Sequence, residues 1–243
     1  MIGRIFVAFM LAGLVLAPTA GTPGRAGEGA TQTYYFGILK RGPNRSQPPD
    51  EAQKIQAGHL QHIGEMAKMG KLVAAGPFGD DGDMRGILIF TTASADEALQ
   101  LESTDPAVAA GRLVHEVHPW VGPVGIGTGW TEAVKTVKPE DIPMLTYQMV
   151  FLTRGDKAVP ADASDHAALG KAHHDYVASL VASKKVVAAG PFTDGGPLMG
   201  VLVLNVPTVD DATALVSADP AVKGGFLVPT VHPWWCAKYV MPE

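Results

Sequence analysis

The sequence predicts an α+β fold made of two βαββαβ units. Two observations carry this. Residues 59–120 align with 173–234 at a constant offset of 114, without a gap, and 27 of those 62 positions are identical. Within each copy the hydrophobic pattern alternates between short β-prone runs and amphipathic helical stretches in the same order. Two copies are too few for a solenoid, so a duplicated domain paired with itself is expected.

The elements of the first copy follow in order. Residues 33–41, Thr-Tyr-Tyr-Phe-Gly-Ile-Leu-Lys-Arg, read as a strand stopped by Gly42-Pro43. Residues 50–70 read as a helix with Ile55, Ile63, Met66 and Ala67 on one stripe, and Gly70 suits its C-terminal end. Residues 72–75 and 86–92 are apolar and β-prone. The turn-rich Gly79-Asp80-Asp81-Gly82-Asp83 between them makes the pair a hairpin. Ser94 stands three residues before Glu97, a capping box for a second helix over 95–102. Residues 113–118 are the last strand. Upstream, Thr33-Tyr34 and Arg41-Gly42 match Thr146-Tyr147 and Arg154-Gly155 at an offset of 113, so the second copy repeats the series. The order βαββαβ is the ferredoxin-like split βαβ motif. Its sheet leaves one face bare, and two such sheets packed face to face form an internal pseudo-dimeric α/β barrel. The expected domains span 31–121 and 146–238, joined by a glycine-rich linker over 122–145.

Residues 1–20 are expected to stand outside this fold. A basic start precedes thirteen uninterrupted apolar residues, 5–17, and small residues follow Pro18. That is the pattern of a secretory signal peptide, with cleavage between 20 and 30. The run is shorter than the ~20 residues a membrane-spanning helix needs. A periplasmic or secreted protein is expected, with no membrane attachment after cleavage.

Composition narrows the function. The chain of 243 residues is 47% hydrophobic and 18% charged, carries a net charge of −5, and has a pI near 5.9. Binding the nucleic-acid backbone needs a basic surface, so that class is excluded. Cys236 is the one cysteine, which excludes an internal disulfide framework and cysteine-based zinc clusters. Gly76-Pro77-Phe78 and Gly190-Pro191-Phe192 lack the Lys-Ser/Thr of a phosphate loop. No Gly-x-Ser-x-Gly nucleophile motif and no dinucleotide fingerprint occurs. His62 follows His59 by three residues, but its counterpart is Tyr176, so no three-ligand metal set repeats. No cofactor and no metal are expected.

Both copies keep a histidine on the first helix, His59 and His173, and an Asp-Pro-Ala-Val step, at Asp105 and Asp219. The helix stripe turns the imidazoles toward the sheet, where a carboxylate neighbour would let them move protons. An aspartate before proline is also a good turn and cap residue, and a helix that stops and restarts at the proline accounts for Asp105 and Asp219 with no chemistry. His118 and His232, in Val-His-Pro-Trp, fit a packing motif with the tryptophan better than a site-rim role.

These residues together resemble the YciI-like (YCII-related) family: His59-Leu60 on a helix, then Gly76-Pro77, then the strand at Gly86, then Asp105-Pro106 and a closing strand. Both halves fit. The resemblance implies a ferredoxin-like fold assembled as a dimeric α/β barrel, and an active site built on the helix histidine and the Asp of the Asp-Pro step. Those are His59 and Asp105, then His173 and Asp219. A chlorinated-hydroquinone dehydrochlorinase is among the few members with an assigned reaction. The export signal and the internal duplication depart from the family pattern. The expected function is a cofactor-independent acid–base enzyme acting by proton abstraction, elimination or isomerisation on a small organic molecule. The alternative is a non-catalytic extracytoplasmic module that binds a small ligand or a partner. The pseudo-dimer is expected to leave further oligomerisation open.

Overall fold

The computed structural model describes residues 29–157 and 164–242. The expected export segment therefore lies outside the described residues. The first half runs β1 (Thr31–Arg41), α1 (Pro49–Lys68), β2 (Leu72–Pro77), β3 (Met84–Phe90), α2 (Ala95–Ser103), α3 (Pro106–Ala109) and β4 (Leu113–Pro123). The connector holds a short helix α4 (Thr128–Ala133) and a 3₁₀ turn at Pro139–Asp141. The second half repeats the series as β5 (Met144–Arg154), α5 (Ser164–Ala182), β6 (Val186–Pro191), β7 (Leu198–Leu204), α6 (Val209–Ser217), α7 (Pro220–Lys223) and β8 (Leu227–Ala237).

Local chemistry sets the boundaries. Gly70 takes φ +69°, and the Lys71 N–H then closes onto the Met66 carbonyl at 3.0 Å, ending α1 in a Schellman turn. Ser94 Oγ accepts from Glu97 N–H at 3.1 Å, while the Glu97 carboxylate accepts from Ala93 N–H at 2.7 Å, so the capping box forms. The last strand runs through Pro119 to Pro123, five residues past its expected end. Proline is tolerated because β4 lies at the edge of its own sheet.

The two sheets are four-stranded, fully antiparallel, and ordered β2-β3-β1-β4 and β6-β7-β5-β8. Alternate residues of the strands face two different cores. Phe36, Ile38, Ile87 and Trp120 share one with Met149, Phe151, Val203 and Trp234 of the second half. Leu39, Leu88 and Phe90 pack instead under α1 and α2 with Met66 and Ala98. The shared core is the barrel interior expected from two bare sheet faces.

The barrel closes twice, by the same contacts in each direction. Trp120 bridges Phe192 and Phe78 bridges Trp234. The indole N–H of Trp120 donates to the Gly190 carbonyl at 3.0 Å, and that of Trp234 to Gly76 at 3.2 Å. The glycines permit this approach: a Cβ on Gly76 would lie 1.9 Å from the Trp235 carbonyl oxygen, and one on Gly190 1.8 Å from that of Val121. Gly-Pro-Phe and His-Pro-Trp are therefore two sides of one seam.

Candidate functional site

His59 is held toward α3 on the face of α1 that also buries Met66. Asp105 is the residue on which α2 stops and α3 begins. Its extended backbone (φ −63°, ψ 127°) places the carboxylate over the first turn of α3. One oxygen, Oδ1, accepts from Ala107 N–H at 2.7 Å. The other, Oδ2, lies 2.6 Å from His59 Nδ1. The second half repeats this: Asp219 Oδ1 accepts from Ala221 N–H at 2.8 Å, and Oδ2 lies 2.6 Å from His173 Nδ1. The structure thus brings both predicted pairs together. Capping and pairing, alternatives when read from sequence, are performed by the same aspartate through different oxygens.

The pairs differ in exposure. The His59 side chain is 10% exposed and that of His173 27%, while both carboxylates are almost wholly buried. Burial works to raise the pKa of Asp105. The hydrogen bond and charge of His59, the Ala107 N–H and the charge of His62 outweigh it and hold the carboxyl below its ordinary value. Asp105 is therefore a carboxylate at neutral pH. An Nδ1–H that donates to it leaves Nε2 as the nitrogen able to take or give a proton.

His62 is no ligand. Its Nε2–H donates to the Leu101 carbonyl at 2.9 Å. Tyr176 donates its hydroxyl to the equivalent Leu215 carbonyl at 2.8 Å. Two different donors do one structural task, so the His59–His62 spacing carries no metal meaning. Among the described residues no three His, Cys, Asp or Glu side chains gather as a metal-ligand set.

A second set of His–Asp pairs escaped the sequence reading. His118 Nδ1 lies 2.6 Å from Asp194 Oδ2, and His232 Nδ1 lies 2.6 Å from Asp80 Oδ2. Each pair joins one half to the other. The His118 ring packs against Phe192 and the His232 ring against Phe78 and Phe151. Packing was expected with the tryptophan; the ring contacts are with phenylalanines instead, and a polar role accompanies them. The available signal was Phe-x-Asp, kept at Phe78–Asp80 and Phe192–Asp194.

Comparison with known families places this arrangement. A family model described as the YCII-related domain matches twice, over residues 34–121 and 149–235. The chain belongs to the YCII-related family. As a YCII-related protein it carries two copies of the domain in one chain, matching the two sheets and the two helix-borne His–Asp pairs. Solved structures show the same fold at low identity. A single-site mutant of chlorite dismutase from Candidatus Nitrospira defluvii superimposes with a TM-score of 0.54 at 12% identity, covering 85% of this chain and 92% of that one. Chlorite dismutase from the same organism in complex with imidazole gives a TM-score of 0.52 at 14% identity, covering 85% and 91%. At such identities the likeness concerns the α/β-barrel fold alone. The comparison with curated proteins found no match.

Proposed function

We propose that this YCII-related chain is an exported, cofactor-independent acid–base catalyst acting on a small organic molecule by proton abstraction, leading to elimination or isomerisation. The observation that carries this reading is the geometry of the helix pairs. In each half Nδ1 of the imidazole is fixed by a buried carboxylate at 2.6 Å, which sets the tautomer and presents Nε2 for proton transfer. When Nε2 takes a proton from the substrate, the imidazolium is stabilised by the aspartate behind it. Nε2–H then returns the proton to a leaving group or to another carbon. Asp105 and Asp219 orient and stabilise; His59 and His173 exchange the proton.

Residues 1–20 support export to the periplasm or medium, the mature chain beginning between residues 20 and 30. The chlorite dismutase activity of the fold relatives is not carried over, since fold alone does not transfer chemistry.

The test is product analysis. The mature chain is incubated with a panel of small cyclic and acyclic carbon acids in deuterated water, and products are read by mass spectrometry and proton NMR. Deuterium incorporation or elimination is expected with the native chain. The double variant His59→Asn/His173→Asn should lose it by about 10²-fold or more while still folding at the assay temperature. Saturable binding without exchange, unaffected by the double substitution, would favour the ligand-binding module instead.

A further inference from the structure

The two helix-borne His–Asp pairs sit in unlike surroundings, and three matched positions set one buried group beside the first pair alone. Behind the first pair, α2 presents Glu102, β4 presents His115, and β1 carries Gly37. At the matching positions the second half has Val216, Pro229 and Val150. Glu102 is 1% exposed, and neither of its carboxyl oxygens has a hydrogen bond. Gly37 makes room for it: a Cβ there would stand 2.1 Å from Glu102 Oε1. His115 Nδ1, itself without a hydrogen bond, lies 3.8 Å from Glu102 Oε2. In the second half Val150 and Val216 fill the same space, both wholly buried.

We propose that Glu102 is a buried positioning residue coupled to the His59–Asp105 pair, giving the proton-transfer pair of the first half a control that the second half lacks. This rests on the acid–base reading above.

The fold does not need the glutamate. The second half builds the same strand, helix and cap with valines, whereas burying a carboxyl without partners costs stability. What the carboxyl adds is a second titrating group next to Asp105. The two cannot both ionise comfortably in one buried site. Burial, then the charge of Asp105, lifts the Glu102 carboxyl to about 8, while Asp105 is held low. Neighbouring acids pushed apart in this way divide into an anion and a proton holder. The groups facing Glu102 are Asp105 from the N-terminus of α3 and His115 from β4. Through Asp105 it reaches His59 and His62 of α1; β1 offers only Gly37. Below its midpoint the neutral Glu102 leaves Asp105 as the sole anion beside His59. Above it, a second negative charge stands beside Asp105 in the same buried site. The His173–Asp219 pair has no such neighbour.

The experiment is an imidazole titration by NMR on the full mature chain with labelled histidine, from pH 5 to 10. The expected result is a His59 curve with a second inflection near pH 8 and a His173 curve without one. Glu102→Gln should remove that inflection from His59 and leave His173 unmoved. Should Glu102→Gln fail to fold, Glu102→Val supplies the residue type the second half carries at that position and must give the same result. A His59 curve without the second inflection, or one that keeps it in these variants, overturns the coupling. With a turned-over substrate in hand, Glu102→Gln should shift the pH–rate profile in a His173→Asn background, where the first half alone exchanges protons, and leave it unshifted in a His59→Asn background. A profile that moves equally in both backgrounds, or in neither, overturns the coupling but leaves the acid–base reading standing. No loss in the double variant sinks that reading, while the titration still judges the coupling.

Discussion

His118 of the first half and Asp194 of the second are joined Nδ1 to Oδ2 at 2.6 Å, and His232 returns the same bond to Asp80. These two bonds flank the glycine–tryptophan seam, so they act as a clasp between the halves. A charge-assisted bond of this kind contributes about 1.5–3 kcal/mol. Asp80→Asn/Asp194→Asn should therefore lower unfolding stability by about 2 kcal/mol or more at pH 7. The His118 hydrogen bond is the main cause holding the Asp194 carboxyl below its usual value, against partial burial and with help from the Gly196 N–H. A lowered carboxyl contributes stability that is present above its unfolded midpoint near pH 4 and is lost as pH falls through the folded one. Denaturant unfolding at pH 7 and pH 3 should show the variant's deficit shrinking at the lower pH. A constant deficit would mean that the clasp is not ionic.

Asp105 performs two tasks through two oxygens, and these are separable. Asparagine remains a good N-cap, so Asp105→Asn keeps the bond to Ala107 N–H and loses the anion facing His59. Alanine loses both. Thermal unfolding should rank native above Asp105→Asn above Asp105→Ala, with the last step worth about 1 kcal/mol. If asparagine and alanine unfold alike, the cap carries no weight and the aspartate serves the histidine alone.

Much of this was legible in the sequence, because duplication exposes which residues a fold reuses. The offset of 114, the capping box at Ser94 and the helix end at Gly70 fixed the elements within a few residues, since each rests on interactions between near neighbours. The helix pairs were also readable, as both members recur in both copies. The clasp was not. His232 and Asp80 are 152 residues apart, and only closure of the barrel brings them together. Glu102 was silent for the opposite reason. It occurs in one copy only, so a search for shared residues passes over it, and its meaning depends on the room beneath Gly37.

The second copy ends its first helix less comfortably than the first. Lys184, the counterpart of Gly70, holds φ +57° while Lys185 N–H closes onto the Leu180 carbonyl at 2.9 Å. A side chain in the left-handed region costs about 1 kcal/mol that glycine does not incur. Lys184→Gly should raise stability by somewhat less, because glycine also gains freedom in the unfolded chain. Calorimetry should show a melting temperature higher by about 1–3 °C. A lower one would mean that the Lys184 side chain makes up for its backbone.

The pH dependence of stability isolates Glu102 without any substrate. Its carboxyl is raised, chiefly by burial and then by Asp105, from the ordinary 4.5 to about 8 in the folded chain. Between those values the folded protein holds a proton that the unfolded chain releases, so stability is complete below pH 4.5 and falls as pH rises through 8. The loss amounts to a few kcal/mol, since moving a titration midpoint by one pH unit corresponds to about 1.4 kcal/mol and solvent entering the site reduces the total. Glu102→Gln cannot release that proton. Its stability should exceed that of the native chain at pH 8 and approach it at pH 5, where both carry a neutral group. His115 works in the same site but in a narrower window: burial, set against the charge of Asp105, lowers its imidazole below 6.5, which favours the unfolded chain only in acid. Unfolding free energies from denaturant titrations of both proteins between pH 5 and 9 supply the comparison. Parallel curves would show that Glu102 ionises in the folded protein as it does in water, which its burial beneath β1 without a hydrogen bond does not allow.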